Sequence, residues 1–143
     1  MNKISDPNKI RFYDYIVLYE LDICNAFGHY NIKSNSVLQF CEEHKILIGS
    51  DCKTKEKMIH QYKYFILWDD TKPTKFKNVQ RNDSAHNLLR HIRNAMAHGN
   101  ITSENRQTFS LKDYNSEKRR TMRGKISNKL FYELIEAIIA TYF

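Results

Sequence analysis

Between Arg90 and Asn100 the chain gathers its densest set of side chains able to do chemistry: Arg90, His91, Arg93, Asn94 and His98, with Asn87 just before them. Histidine takes and gives protons near neutral pH, and the planar guanidinium of arginine matches the oxygens of a phosphate. No carboxylate lies in the stretch, so it offers a hard divalent cation no cluster of acidic ligands. Neither Lys nor Glu, the usual residues of a solvated helix surface, occurs in it. The expectation is a site without metal and without a bound cofactor.

Such groups act together only if one element holds them in step. Read as a helix, Leu88, Leu89, Ile92, Ala95 and Met96 fall on one side and face a core. Asn87, His91, Asn94 and His98 step by four, three and four residues down the other side, with Arg90 beside them and Arg93 at the border. Gly99 stands where a left-handed residue ends a helix, which puts His98 in the last turn.

The remaining elements are read from caps and periodicity. Asp6 as cap and Pro7 in the first turn start a helix whose apolar stripe is Ile10, Tyr13, Ile16, Val17, Cys24 and Phe27, ending near Gly28, with Tyr13, Tyr15, Tyr19 and Tyr30 as wall residues whose rings are buried and whose hydroxyls lie near water. A second helix is predicted from Ser34 or Asn35 to Gly49-Ser50, and a third from Thr54 to Trp68. Asp69 to Asn82 reads as a loop, and Asn82, Asp83 or Ser84 caps the motif helix. Phe109 and Leu111 alternate, as do Met122, Gly124 and Ile126, with Asn115-Ser116 between them, which predicts a hairpin. A last helix starts at Ser127 or Asn128 and carries Leu130, Leu134, Ile135, Ile138, Ile139 and Tyr142. The expected fold is mainly α: a small bundle of four to five helices, with a β-hairpin inserted before the C-terminal helix, in one domain over residues 1–143.

Composition narrows the function classes. Of the 143 residues 41% are hydrophobic and 27% charged, which makes a globular chain, not a disordered one. The net charge of +7 points to an anionic partner, most simply nucleic acid. Arg119, Arg120, Arg123 and Lys125 crowd the second strand of the hairpin. They read either as charge that protects a strand edge or as a strip that tracks phosphates. Cys41, His44, Cys52 and His60 match no common zinc spacing, and three cysteines without paired spacing suit reduced thiols. No signal peptide and no membrane-length apolar run is found, so a soluble cytoplasmic protein with no membrane partner is expected.

The segment Arg93-Asn94-Ala95-Met96-Ala97-His98-Gly99 resembles the Arg-x4-6-His signature of the HEPN superfamily, in which Asn often follows the Arg. The His-Ile-Arg-Asn-Ala-x-Ala-His-Gly-Asn wording and the inserted hairpin look similar to a plasmid- and Bacteroides-type group of that superfamily. A second match, Arg81-Asn82-Asp83-Ser84-Ala85-His86, straddles the expected helix start and so lacks fixed geometry. The resemblance implies a helical domain that cleaves RNA without metal, in phage-defence or toxin–antitoxin settings, or that only binds RNA or nucleotide.

Cleavage of that kind uses the ribose 2′-hydroxyl as nucleophile and leaves a cyclic phosphate and a 5′-hydroxyl. The resemblance then makes His98 the general acid or base, Arg93 the phosphate clamp and Asn94 the orienting amide. Arg90 and His91 become further RNA contacts, with Arg119, Arg120, Arg123 and Lys125. Five residues correspond to about 140° around a helix and roughly 7.5 Å along it, so Arg93 and His98 of one chain do not converge. A homodimer through the motif helix answers this, as in the family. Family toxins silenced by nucleotide transfer carry a tyrosine two residues after the histidine, where this chain has Asn100. Three readings stay open: an RNase, with an antitoxin protein as a further partner; a catalytically silent module that binds RNA or nucleotide; and a polar helix face that serves only the dimer or a partner protein.

Overall fold

A computed structural model describes residues 3–50, 63–69 and 84–143. Helix α1 (Asp6–Leu21) is capped by Ser5, one residue before the expected cap, whose hydroxyl accepts from the Asn8 N–H. Its buried face also differs from the expected one. Tyr15 and Tyr19 are buried as expected and Phe12 is buried with them, whereas Ile10 and Tyr13 of the predicted stripe are 63% and 67% exposed. The helix is apolar on both sides, so spacing alone fits either face. The large aromatic rings bury more area and take the interior.

The expected first helix runs on to near Gly28, but α1 ends at Leu21, and a 3-10 turn (Ile23–Asn25) leads on towards α2 (Asn35–His44), which Ser34 caps and Lys45 ends at φ 55°. The expected helix continues to Gly49-Ser50, but Ile46–Gly49 is instead strand β1. The end of the expected third helix is likewise strand β2 (Lys63–Leu67), while residues 54–62 of that prediction lie outside the described residues. β1 and β2 pair in parallel, Ile46 with Lys63 through Gly49 with Ile66. Short apolar runs rich in β-branched residues carry no period that separates strand from buried helix, and the distant pairing decides.

After the motif helix α3 (Ser84–Ala97) come β3 (Ile101–Glu104), β4 (Thr108–Tyr114), β5 (Arg120–Ser127) and α4 (Asn128–Ile139). The predicted hairpin is β4–β5, and Ser127 caps α4 as expected. The strands form one mixed sheet in the order β1-β2-β5-β4-β3. Among the described residues four α-helices stand against five strands, which overturns the expected mainly α bundle: the fold is α+β, and the hairpin is the middle of a larger sheet. No helix among the described residues is long and apolar enough to cross a membrane.

The helices pack on one face of the sheet. Phe12, Phe109 and Phe131 meet edge to face at its centre, with ring centroids 5.3–6.3 Å apart. Tyr64 and Ile66, flanked by Leu47 and Trp68, form a separate cluster on the opposite face. Gly124 lies across from Phe65, and a Cβ on it would stand 2.6 Å from that fully buried ring. Gly124→Ala is therefore expected to cost about 1–3 kcal/mol by overpacking. Thermal unfolding should read this as a drop in Tm of about 3 °C or more. An unchanged Tm would mean that the Phe65 ring yields freely.

Candidate functional site

Helix α3 has the two sides its sequence predicts. Ala85, Leu88, Leu89, Ile92 and Ala95 are buried against the core. The Tyr15 hydroxyl donates to the Leu89 carbonyl at 2.7 Å and ties α1 to the middle of α3. The helix ends in a Schellman arrangement. Gly99 takes φ 70°, its N–H reaches the Met96 carbonyl, and the Asn100 N–H reaches the Ala95 carbonyl at 2.8 Å. His98 follows the last helical residue and is exposed in this turn.

The polar row faces the ends of β2 and β4, not open solvent. His91 is 1% exposed and lies between two carboxylates, Nδ1 2.7 Å from Asp113 and Nε2 2.9 Å from Asp69. Both ring nitrogens can donate only when the imidazole is protonated. Burial works against that charge, but the hydrogen bonds to Asp113 and Asp69 outweigh it and raise the pKa. Burial also opposes ionisation of Asp69, yet the His91 hydrogen bond and charge, with Asn87 and Arg90, bring its pKa down to about 2. Asp113 is lowered in the same way, against burial, by His91, Asn94 and the Tyr114 N–H. Arg90, His91, Asp69 and Asp113 thus form a cluster whose charges cancel.

The cluster extends to the motif residues. Asn87 donates to Asp69 at 3.1 Å and accepts from Arg90 at 2.7 Å, and Arg90 reaches Asp69 at 3.2 Å. Asn94 donates to Asp113 at 3.1 Å and accepts from Nη1 of Arg93 at 3.1 Å. Nη2 of Arg93 meets Glu20 on α1, and its buried Nε has no partner among the described residues. A continuous chain of polar contacts therefore runs from Asp69 through His91, Asp113, Asn94 and Arg93 to Glu20, across four elements. Within one chain, Arg93 and His98 share no hydrogen-bond partner among the described residues. Arg93 points towards α1, and His98 stands in the turn beyond the helix.

Sequence reasoning missed Asp69, Asp113 and Glu20 as partners of the motif. Asp113 leaves a signal in retrospect: Phe109, Leu111 and Asp113 all point inward on β4, and an acid at an inward position needs a buried partner. A register shift at Asp113/Tyr114 accompanies its placement. Asp69 sits in the turn after β2, held beside β5 by the Trp68 N–H on the Thr121 carbonyl. The other pattern match ends at His86, which is buried with Nε2 3.1 Å from the Ile23 carbonyl, while Arg81 lies outside the described residues.

The basic strip is elsewhere. Arg123 pairs across the strands with Ile66 and Lys112, and Lys125 with Tyr64 and Ser110. These positions alternate with the buried Met122, Gly124 and Ile126, so they project from the face opposite α3. Arg120 stands 5.1 Å over the Trp68 ring, and the Arg119 side chain is 81% exposed in the turn before β5. Arg90 is 40% exposed at the edge of the buried cluster. The structure thus brings Arg90, His91, Arg93 and Asn94 into one network and places Arg120, Arg123 and Lys125 behind the sheet.

A scan of family models matches the description HEPN pEK499 p136 over residues 32–143, which takes in every strand, the motif helix and α4. No curated protein and no solved structure gives a match. With most of its length covered by that model, including the Arg93–His98 segment, the chain belongs to the HEPN family it describes.

Proposed function

We propose that this HEPN protein is a metal-independent endoribonuclease that works as a homodimer. The observation that carries the reading is the rigid presentation of Arg93 and Asn94 by the buried network, one turn from an exposed His98. Arg93 binds the non-bridging oxygens of the scissile phosphate, and Asn94 orients it. His98 takes the proton of the 2′-hydroxyl, O2′ attacks phosphorus, and the P–O5′ bond breaks. The departing O5′ takes a proton from His98 of the second copy, so the histidines exchange roles at the next turnover. Arg90 contacts a flanking phosphate with its exposed edge. His91, being buried, acts through Asp113 and Asn94 instead of touching RNA.

Support for the dimer comes from α1. Ile10, Tyr13, Val17 and Leu21 form an exposed apolar strip, and Glu20 on the same helix contacts Arg93. Joining two such strips would bury them in a two-fold interface. The setting that fits is a cytoplasmic defence or toxin–antitoxin system, with an antitoxin protein as a further partner.

A second reading has its own observation. Glu20 occupies one edge of the Arg93 guanidinium and Asn94 another, which suits a silent module that binds RNA or nucleotide through the remaining polar groups.

Incubating RNA with purified protein in excess EDTA, with end-group analysis, separates the two. Metal-free cleavage with cyclic-phosphate ends is expected, falling about 100-fold or more in His98→Ala and in Arg93→Ala. Leu21→Asp should shift the protein to monomer in sedimentation and lose cleavage in parallel. Binding without cleavage would move the assignment to the silent module, and cleavage surviving both site substitutions would sink the assigned residues.

A further inference from the structure

The sheet face turned away from the helices carries a cationic array that neither the core nor the motif network explains. Ile66, Arg123 and Lys112 are consecutive cross-strand partners on β2, β5 and β4, and Tyr64, Lys125 and Ser110 form the adjoining row. Directly opposed side chains in an antiparallel pair have Cβ atoms about 4.5–5.5 Å apart, where like charges destabilise the sheet. Arg123 and Lys112 are such a pair, and no carboxylate among the described residues forms an ion pair with either. Lys125 does have one, Glu104 at 3.0 Å. A fold gains nothing from two like charges across a rung when neither meets a carboxylate among the described residues. The arrangement makes sense when an anion lies between them.

The aromatic neighbours say which anion. Arg120 stacks 5.1 Å over the half-buried Trp68, and Arg123 lies 5.9 Å from the Tyr64 ring centroid. Tyr114, the cross-strand partner of Arg120, is 43% exposed. Tyr64 and Ile66 are buried in the second apolar cluster, but cations beside the half-buried Trp68 and the exposed Tyr114 suit a strand whose phosphates and unpaired bases are both within reach. A duplex hides its bases, and a lipid surface has none.

We infer that this outer face is a track for single-stranded RNA. A phosphate sits between Lys112 and Arg123, a further phosphate lies at Arg120, and bases rest on Trp68 and Tyr114. The track takes its RNA from the function proposed above, but it is a separate surface. Asp113 and the core positions of β4 and β5 face α3, whereas Lys112, Arg123 and Lys125 face the other way. RNA held here is anchored away from Arg93 and His98, so binding and cleavage are separable.

The test uses a fluorescent 2′-O-methyl RNA of about 12 nucleotides, which cannot be cleaved and so reports binding whether or not the protein is an RNase. Anisotropy titrations between about 50 and 200 mM salt compare the full chain with Lys112→Thr/Arg123→Gln, Trp68→Ala and Arg93→Ala/His98→Ala. Losing two phosphate contacts reduces the salt slope by about 1.4, so over that range wild-type affinity should fall about sevenfold more than that of the double variant. Trp68→Ala should weaken binding about fivefold or more, and the Arg93/His98 pair should leave the Lys112–Arg123 share of the slope in place. Lys112→Thr should also raise Tm at low salt by removing the like-charge pair, which shows that it folds. A salt slope unchanged in Lys112→Thr/Arg123→Gln overturns the track. So does equal competition by a blunt duplex, or binding to phosphatidylserine vesicles that is lost in this variant while RNA binding is not.

Discussion

Asp113→Ala is expected to destabilise the protein by about 3–5 kcal/mol, the largest loss of any single substitution in the polar network. Asp113 is 1% exposed and accepts from both His91 and Asn94. Removing it leaves a buried imidazolium facing one carboxylate instead of two and frees the Asn94 amide that steadies Arg93. Asp113→Asn keeps the shape but presents an N–H₂ or a single neutral acceptor, so its cost should be smaller, about 1–3 kcal/mol. Urea unfolding of both variants, beside His91→Ala and the His91→Ala/Asp113→Ala double variant, checks the pairing. The double variant should lose less than the sum of the singles, by more than about 0.5 kcal/mol. Strict additivity, or a loss below about 1 kcal/mol for Asp113→Ala, would mean that the contact contributes little. If the RNase reading is right, Asp113→Ala protein that remains folded should also turn over more slowly, through Asn94 and Arg93.

The motif helix was legible in the sequence because its signals are local. An apolar face behind a polar row and a glycine after the last turn do not depend on distant residues. The same holds for the β4–β5 alternation and for Ser127 as the cap of α4. The sheet was not legible. Ile46–Gly49 and Lys63–Leu67 are strands of four and five residues, apolar apart from Lys63, whose strand character rests on pairing with each other and with β5. The face of α1 was misjudged because two apolar stripes compete and only the Phe109–Phe131 cluster, far along the chain, selects Phe12. The network around His91 is non-local in the same sense, since Asp69 and Asp113 each lie 22 residues away. Spacing placed His91 correctly on the polar side. What it could not show is that this side faces a strand end carrying an aspartate.

The charge states of that network predict how stability changes with pH. Asp69 titrates near 2 in the folded protein against 3.8 when unperturbed, and Asp113 is lowered as well. A carboxylate with a depressed folded pKa contributes stability above its unfolded value and loses it as pH falls through the folded one. For Asp69 the shift corresponds to about 2 kcal/mol, lost between roughly pH 4 and pH 2. His91 behaves with the opposite sign. Its folded pKa is raised above 6.5, so its contribution is complete below that value and is lost as pH rises through the folded pKa. The two limbs describe one coupled cluster and are not to be summed as independent contacts. Urea unfolding across the pH range should therefore show greatest stability between about pH 4 and 6.5, with a decline on the alkaline side above that window. Asp113→Asn should flatten the alkaline limb, because it removes one of the two carboxylates that hold the proton on His91. An alkaline limb of full size in that variant would assign the titration to a group outside the network. A wild-type curve flat from pH 5 to 9 would mean that His91 is not the imidazolium its two partners require.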